Sequence, residues 1–296
     1  MNNRQLNSEV ERYLSEHFNT DVIIRSSGIL GGGCINNASS LDTNIGHFFL
    51  KWNCHCAPDI FIKEAESLKE LKKAANGSLV IPEVFAVKEV NETPGFLVLE
   101  LLNPGSSFSG TDESLGRGLA TIHRFDNDRF GFYSNNYCGS TTQDNSWKSE
   151  WSVFYRDNRL GYLLKLINNK NPLPSHEMRI YDRLLDKIPL LLPQESVPVL
   201  IHGDLWSGNY MITEKGPALI DPASYYAERE MEMGIMTMFG GFSGKFYSAY
   251  NEINPLPSDW RDRNPLYQLY HILNHYYLFG GGYGSQAFRI AKYYTG

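Results

Sequence analysis

The sequence predicts an α+β protein of two lobes, a small antiparallel-sheet lobe with a helix over residues 1–102 and a larger, mainly helical lobe over 103–296. Three observations carry this. Strand-like and helix-like patterns alternate through the first hundred residues. A Gly-, Ser- and Pro-rich stretch, ELLNPGSSFSG, follows at 100–110. Beyond it long helical patterns dominate, broken by one β-rich stretch at 198–222.

Leu6, Val10, Tyr13, Leu14 and Phe18 recur at helical spacing, so the chain opens with an amphipathic helix. DVIIRSSGIL reads as a strand running into GGGCINNAS, and HFFLKWN (47–53) is a second strand after the turn-like LDTNIG. Residues 58–75 read as a helix with Pro58 near its start and Phe61, Ala65, Leu68 and Leu71 on one face. LVIPEVFAVKEV and GFLVLELL supply two more strands. In the second lobe, helices are expected over 113–123, 147–167, 176–191 and 265–279.

At 42% hydrophobic and 20% charged residues, the composition is that of a globular chain rather than a disordered one. The net charge of −6 gives no overall attraction to nucleic acid or anionic membranes. The N-terminus is polar and amphipathic, and no stretch approaches the ~20 apolar residues of a membrane helix. A soluble, cytoplasmic protein is expected. Four cysteines make no disulfide framework, and CHC at 54–56 has no second Cys/His pair at zinc-ligand spacing.

The chemistry concentrates in HGDLWSGNYMITEKGPALIDPA, residues 202–223. Asp204 ends an apolar strand-like run, Asn209 follows five positions later, and Asp221 closes a short hairpin. Two carboxylates and a carboxamide are hard oxygen donors of the kind magnesium takes. The spacing is that of phosphoryl transfer, with an Asp to orient a hydroxyl, an Asn five residues on for metal, and a second metal-binding Asp after a hairpin. An Asp/Asn-rich turn pair at a sheet edge is the plain alternative. His202 reads as a loop-holding residue, with an acid–base role as the alternative.

The first lobe offers what a nucleotide needs. Gly31, Gly32 and Gly33 lie between two strands, where backbone can approach phosphate oxygens; a flexible hairpin turn is the alternative. Lys51, flanked by Phe48, Phe49, Leu50 and Trp52, must find a counter-charge or reach solvent. Glu64 on the following helix is the favoured partner over Glu66, aiming the ammonium at phosphates. Backbone at Glu100, Leu101 and Leu102 could pair with an adenine edge. ATP and Mg²⁺ are the expected cofactors.

In these residues the sequence resembles the kinase-like phosphotransferase superfamily, and within it the fructosamine kinase (ketosamine-3-kinase) family. HGDLWSGN and IDPASYYAERE are similar to that family's loops. So is the order of Asn136, Gly139, Gln143, Asn145, Trp147, Trp151 and Arg159-Leu160, and so is YQLYHILNHYYLFGGGYG at 267–284. The resemblance implies a protein-kinase-like fold and ATP-dependent phosphorylation of the third-carbon hydroxyl of a fructosamine or related ketosamine, free or protein-bound, a deglycation repair activity. It places Asp204 as catalytic base, Asn209 and Asp221 at metal, and Lys51 with Glu64 as the phosphate-orienting pair. Ser207 and Ser67 stand where many relatives have glycine.

Trp206, Trp147, Tyr225 and His275 are candidates to line a sugar pocket, with core packing as the alternative for each and the favoured reading for Tyr225 and His275. Cys34, beside the glycines, is a candidate redox-sensitive thiol. Competing readings are a kinase of another small hydroxyl compound, such as an aminoglycoside or choline; a metal-dependent hydrolase using His202, Asp204, Asp221 and His275; and a catalytically dead binding protein.

Overall fold

Strand β5 (Gly95–Glu100) explains the small lobe, because it is apolar on both faces. Phe96 and Val98 point into a core under helix α1 (Asn3–Phe18), while Leu97 and Leu99 point into the larger core of the molecule. A strand with helices on both faces reads as a continuous apolar run. Around it lie β1 (Ile24–Leu30), β2 (Asn37–Thr43), β3 (His47–Asn53) and β4 (Val84–Lys88). They form one antiparallel sheet in the order β1-β2-β3-β5-β4. The computed structural model describes residues 3–31, 36–106 and 110–296.

Leu6, Val10 and Leu14 of α1 are buried on the sheet beside Phe48 and Leu50 of β3. Strand periodicity then turns Phe49 and Lys51 to the opposite face, where the cleft lies. Helix α2 (Ile60–Ala75) covers that face, with Phe61, Ala65, Leu68 and Leu71 all buried, as their spacing predicts. By contrast β1 is exposed at six of its seven positions.

The chain leaves β5 through a connector pinned to the second lobe. Gly105 N–H donates to the Ile212 carbonyl at 2.9 Å, and a Cβ on Gly105 would stand 2.4 Å from Thr213 backbone atoms. Helix α3 (Thr111–Ile122) then packs on α8 (Gly244–Ile253). Gly116 permits that approach, since a Cβ there would stand 2.3 Å from the Phe246 carbonyl oxygen.

The expected helix over 147–167 starts later. Lys148 pairs through its backbone with Phe130, so helix α4 runs Trp151–Phe154, passes through a π-helical stretch Tyr155–Gly161, and continues as α5 (Tyr162–Lys170). Helix α6 (Ser175–Leu191) matches its expectation. Helix α9 (Trp260–Phe279) begins upstream of the expected Pro265, its first turn stabilised by Arg263 on Asp259 at 2.6 Å. Three helices that the periodicity had not assigned complete the lobe: α7 (Glu230–Met238), α8, and α10 (Tyr283–Thr295). The β-rich interruption resolves into β8 (Val199–Ile201), the hairpin β9 (Tyr210–Thr213) and β10 (Gly216–Leu219), and β11 (Tyr225–Ala227) paired with β8. A small hairpin, β6 (Asn136–Cys138) and β7 (Thr141–Gln143), lies beside them. Among the described residues no helix is long and apolar enough to cross a membrane.

Candidate active site

Between the inner face of the sheet and the loops after β8 and β10 lies a cavity of about 520 Å³. Its walls bring together Gly31, Lys51 and Glu64 from the first lobe with Asp204, Trp206, Asn209 and Asp221 from the second. Asn36, Asn136, Tyr137 and Gly139 also line it.

Lys51 has the counter-charge its setting demands. Its Nζ lies 3.0 and 2.9 Å from the two carboxylate oxygens of Glu64 and 3.1 Å from Asp221 Oδ1. Burial alone would push the ammonium down, but the two carboxylates overcome this and hold it above the ordinary lysine value. Glu66 points elsewhere, to Lys63 and to the Ser134 hydroxyl.

Asp204 is fixed through its neighbours. Gly203 adopts φ +85°, and a Cβ there would meet the Ala223 carbonyl oxygen at 2.2 Å. The N–H groups of His202 and Gly203 donate to the buried Glu232 carboxylate on α7, at 2.5 and 3.1 Å. Both His202 ring nitrogens face backbone: Nδ1 accepts from Asp204 N–H at 3.3 Å and Nε2 donates to the Ile220 carbonyl at 2.8 Å. Burial lowers its pKa, so the ring is neutral and holds the loop. Burial pushes the Asp204 carboxyl up to about 8, with Glu232 and Asp221 adding repulsion and Asn209 opposing them.

Asn209 Nδ2 donates to the Asp204 carbonyl at 2.8 Å and to its Oδ2 at 3.1 Å, which leaves the amide oxygen as its acceptor. The β9–β10 hairpin returns the chain so that Ile220 N–H donates to the Asn209 carbonyl at 3.0 Å. Asp221 follows with φ 54°, a left-handed conformation that is uncommon outside glycine and is found at functional sites. The cleft thus brings together the Asp204 carboxylate, the oxygen donors of Asn209 and Asp221, and the buried Lys51 ammonium.

Other candidates are placed differently. Tyr225 is wholly buried beneath the Arg159 guanidinium, 3.9 Å from its ring centroid, so it is core and not cavity wall. Trp147 packs on Tyr226 and under Arg129, away from the cavity. Trp206 lines the cavity and is 40% exposed. His275 stands behind it in an aromatic row, Trp206 to Phe239 to His275, with its Nδ1 on the His271 carbonyl at 2.7 Å. Glu100, Leu101 and Leu102 lie outside the cavity wall: Glu100 N–H donates to the Glu83 carbonyl and its carboxylate pairs with Lys215. Gly32, Gly33 and Cys34 lie outside the described residues.

Sequence reasoning missed Glu232. Its signal was an acid inside an apolar helix, EMEMGIMTM, a placement that needs buried donors. It also missed the reason for the amides at 136–145. Asn136 accepts from Gln143 and Asn145, and Arg159 donates to Asn145 Oδ1 at 2.7 Å, which makes a buried network behind the cavity.

The family model for fructosamine kinase matches residues 6–294. A chloroplastic protein-ribulosamine 3-kinase of Oryza sativa subsp. indica is 40% identical over 272 residues, covering 90% of this chain and 77% of that protein. The crystal structure of a putative fructosamine-3-kinase from Haemophilus somnus 129PT superposes with a TM-score of 0.84 at 26% identity, over 96% of each chain. An aminoglycoside phosphotransferase solved with AMP-PNP and hygromycin B shares the fold alone, with a TM-score of 0.62 at 15% identity, over 97% of this chain and 99% of that one. The protein-kinase-like fold is thus the one the loops around Asp204 and Asp221 imply, and the chain belongs to the fructosamine kinase family.

Proposed function

We propose that this chain is an ATP-dependent kinase of ketoamines, free or protein-bound, acting on the third-carbon hydroxyl of a fructosamine or related ketosamine. The observation that carries the reading is the meeting of Asp204, Asn209 and Asp221 with the buried Lys51–Glu64 pair in one cavity. The substrate class rests on family membership.

The residues fit a magnesium–nucleotide. The Asn209 amide oxygen and the Asp221 carboxylate would hold the metal, and Lys51 is already drawn toward Asp221. Bound Mg²⁺–ATP supplies the phosphoryl group to be transferred. The chain's own part is positioning. Asp204, held by Asn209 from one side and by the His202–Gly203 backbone from the other, orients the sugar hydroxyl and accepts its proton at the carboxylate. Glu64 keeps Lys51 charged and extended beside the donors. Trp206, at the rim, offers an apolar face to the amine-bearing end of the substrate. Such transfers depend more on alignment and electrostatics than on strong base catalysis.

The hydrolase reading loses support because both His202 nitrogens are committed to backbone. A screen of ATP consumption by the purified chain across fructosamines, ribulosamines, aminoglycosides and choline tests the proposal. Turnover with ketoamines is expected, and turnover confined to aminoglycosides or choline would overturn it. Asp204→Asn should lower kcat by roughly 10²–10⁴-fold with nucleotide binding retained. Near-normal turnover in that variant would remove Asp204 from its role.

A further inference from the structure

Cys138, Asp204 and His271 reach one point from three separate parts of the chain. Cys138 ends β6, Asp204 stands in the loop after β8, and His271 lies midway along α9. One donor atom from each (the thiol sulfur, a carboxylate oxygen and an imidazole nitrogen) lies within 4.8 Å of the other two. Two of the three side chains have polar contacts to residues outside the trio. Cys138 Sγ accepts from Asn274 Nδ2 at 3.3 Å, and Asp204 Oδ2 accepts from Asn209 Nδ2 at 3.1 Å. His271 is 1% exposed, yet its Nδ1 has no hydrogen-bond partner, and neither has the nearby Asn274 Oδ1. Buried polar atoms left this way call for a water, a ligand or an ion.

The donor set says which ion. Magnesium prefers oxygen alone, whereas sulfur, imidazole and carboxylate together select a borderline transition metal, zinc above all among the abundant ones. At zinc bond lengths, tetrahedral ligands stand roughly 3.3–3.8 Å apart, so the trio closes on an ion by moving on the order of 1 Å. Asp204 lines the cavity, which provides an entry path from the cleft. The carboxylates of Asp221 and Glu232, which repel a charge on Asp204, favour a cation there.

We propose that Cys138, His271 and Asp204 form an inhibitory zinc site. Zinc enters from the cleft, the Cys138 thiol gives its proton to solvent, and sulfur, imidazole nitrogen and one Asp204 oxygen bind the ion. The Asp204 carboxylate is then withheld from the sugar hydroxyl. That last step rests on the kinase reading; the metal site does not.

Binding is therefore read without turnover. Cobalt(II) added to the whole chain in excess magnesium should give the near-ultraviolet thiolate-to-cobalt charge-transfer band, displaced by one equivalent of zinc. Cys138→Ser should abolish the band, and His271→Asn should weaken cobalt and zinc binding by roughly 10-fold or more. In the ketoamine assay, zinc should inhibit the wild type, and Cys138→Ser should need roughly 10-fold more zinc for the same inhibition. Thermal unfolding of each variant shows that it is folded, and Cys138→Ala replaces the serine variant if that one is not. A missing band in the wild type, or a band that survives in the folded Cys138 variant, overturns the site. Equal zinc inhibition of wild type and that variant would mean that zinc acts at Asn209 and Asp221 instead, and overturns the inhibitory role.

Discussion

Glu228 shows at the scale of one residue how this fold holds acids out of water. It is 7% exposed, and burial, with Glu230 nearby, pushes its carboxyl up to about 8. In the unfolded chain a glutamate releases its proton near pH 4.3, about the free-residue value. Between those two values the folded state holds a proton that the unfolded state has lost, so Glu228 makes stability fall as pH rises through that window. Glu228→Gln removes the loss. Its melting temperature should exceed that of the wild type at pH 8, and the gap should close near pH 4, as followed by circular dichroism across pH. Nothing in the local sequence gave this away, because the burial of Glu228 comes from its surroundings in the folded lobe. Lys51 is the opposite case. A cation inside FFLKWN has to be paired, and Glu64 one helix later was the nearest acid on the correct face. What could not be read there was the second partner, Asp221, 170 positions away.

Among the elements, the turn at His202–Asp204 is tightly constrained. Gly203 combines a φ of +85° with contact against the Ala223 carbonyl, so any side chain must push the two loops apart. Gly203→Ala should therefore displace Asp204 from Asn209, and kcat should fall by roughly 10²-fold, the effect of about 1 Å of misplacement. Far-ultraviolet circular dichroism should stay that of a folded chain, and steady-state kinetics give the kcat. The order and nature of the first-lobe elements were open to pattern reading, because β3 and α2 each bury one face at their own period. Helix α7 was not. EMEMGIMTM is buried on nearly every side, so it has little amphipathic contrast, and its glutamates look like surface residues until their donors are seen. The delayed start of α4 was hidden for another reason: backbone pairing of Lys148 with Phe130 competes with helix, and side-chain pattern does not record it.

On the scale of the whole molecule, the two lobes are less separate than composition suggests. The main core takes Phe61 and Leu71 from α2 and Leu97 from β5, and joins them to Leu119, Tyr226 and Tyr267 of the helical lobe. Backbone crosses as well: Val80 N–H donates to the Pro217 carbonyl at 2.9 Å, and Leu219 N–H to the Val80 carbonyl at 3.0 Å. A boundary near residue 102 thus follows the chain path but cuts through packed side chains. Urea unfolding should be one transition, with coincident midpoints for tryptophan fluorescence and far-ultraviolet circular dichroism. Two resolved midpoints would show lobes that melt on their own.

The contact between Lys51 and Asp221 gives that closeness a kinetic meaning. In the resting cleft the lysine already leans on a carboxylate from the other lobe, at 3.1 Å. A nucleotide arriving with its metal would therefore not meet a bare charge. On the proposed function, Asp221 would hold the metal and Lys51 would exchange that carboxylate for a phosphate while keeping Glu64, so the ammonium would have a partner throughout. A nucleotide without metal would offer Asp221 nothing in that exchange, so on the proposed function the metal-loaded form would be the favoured one at the moment of entry.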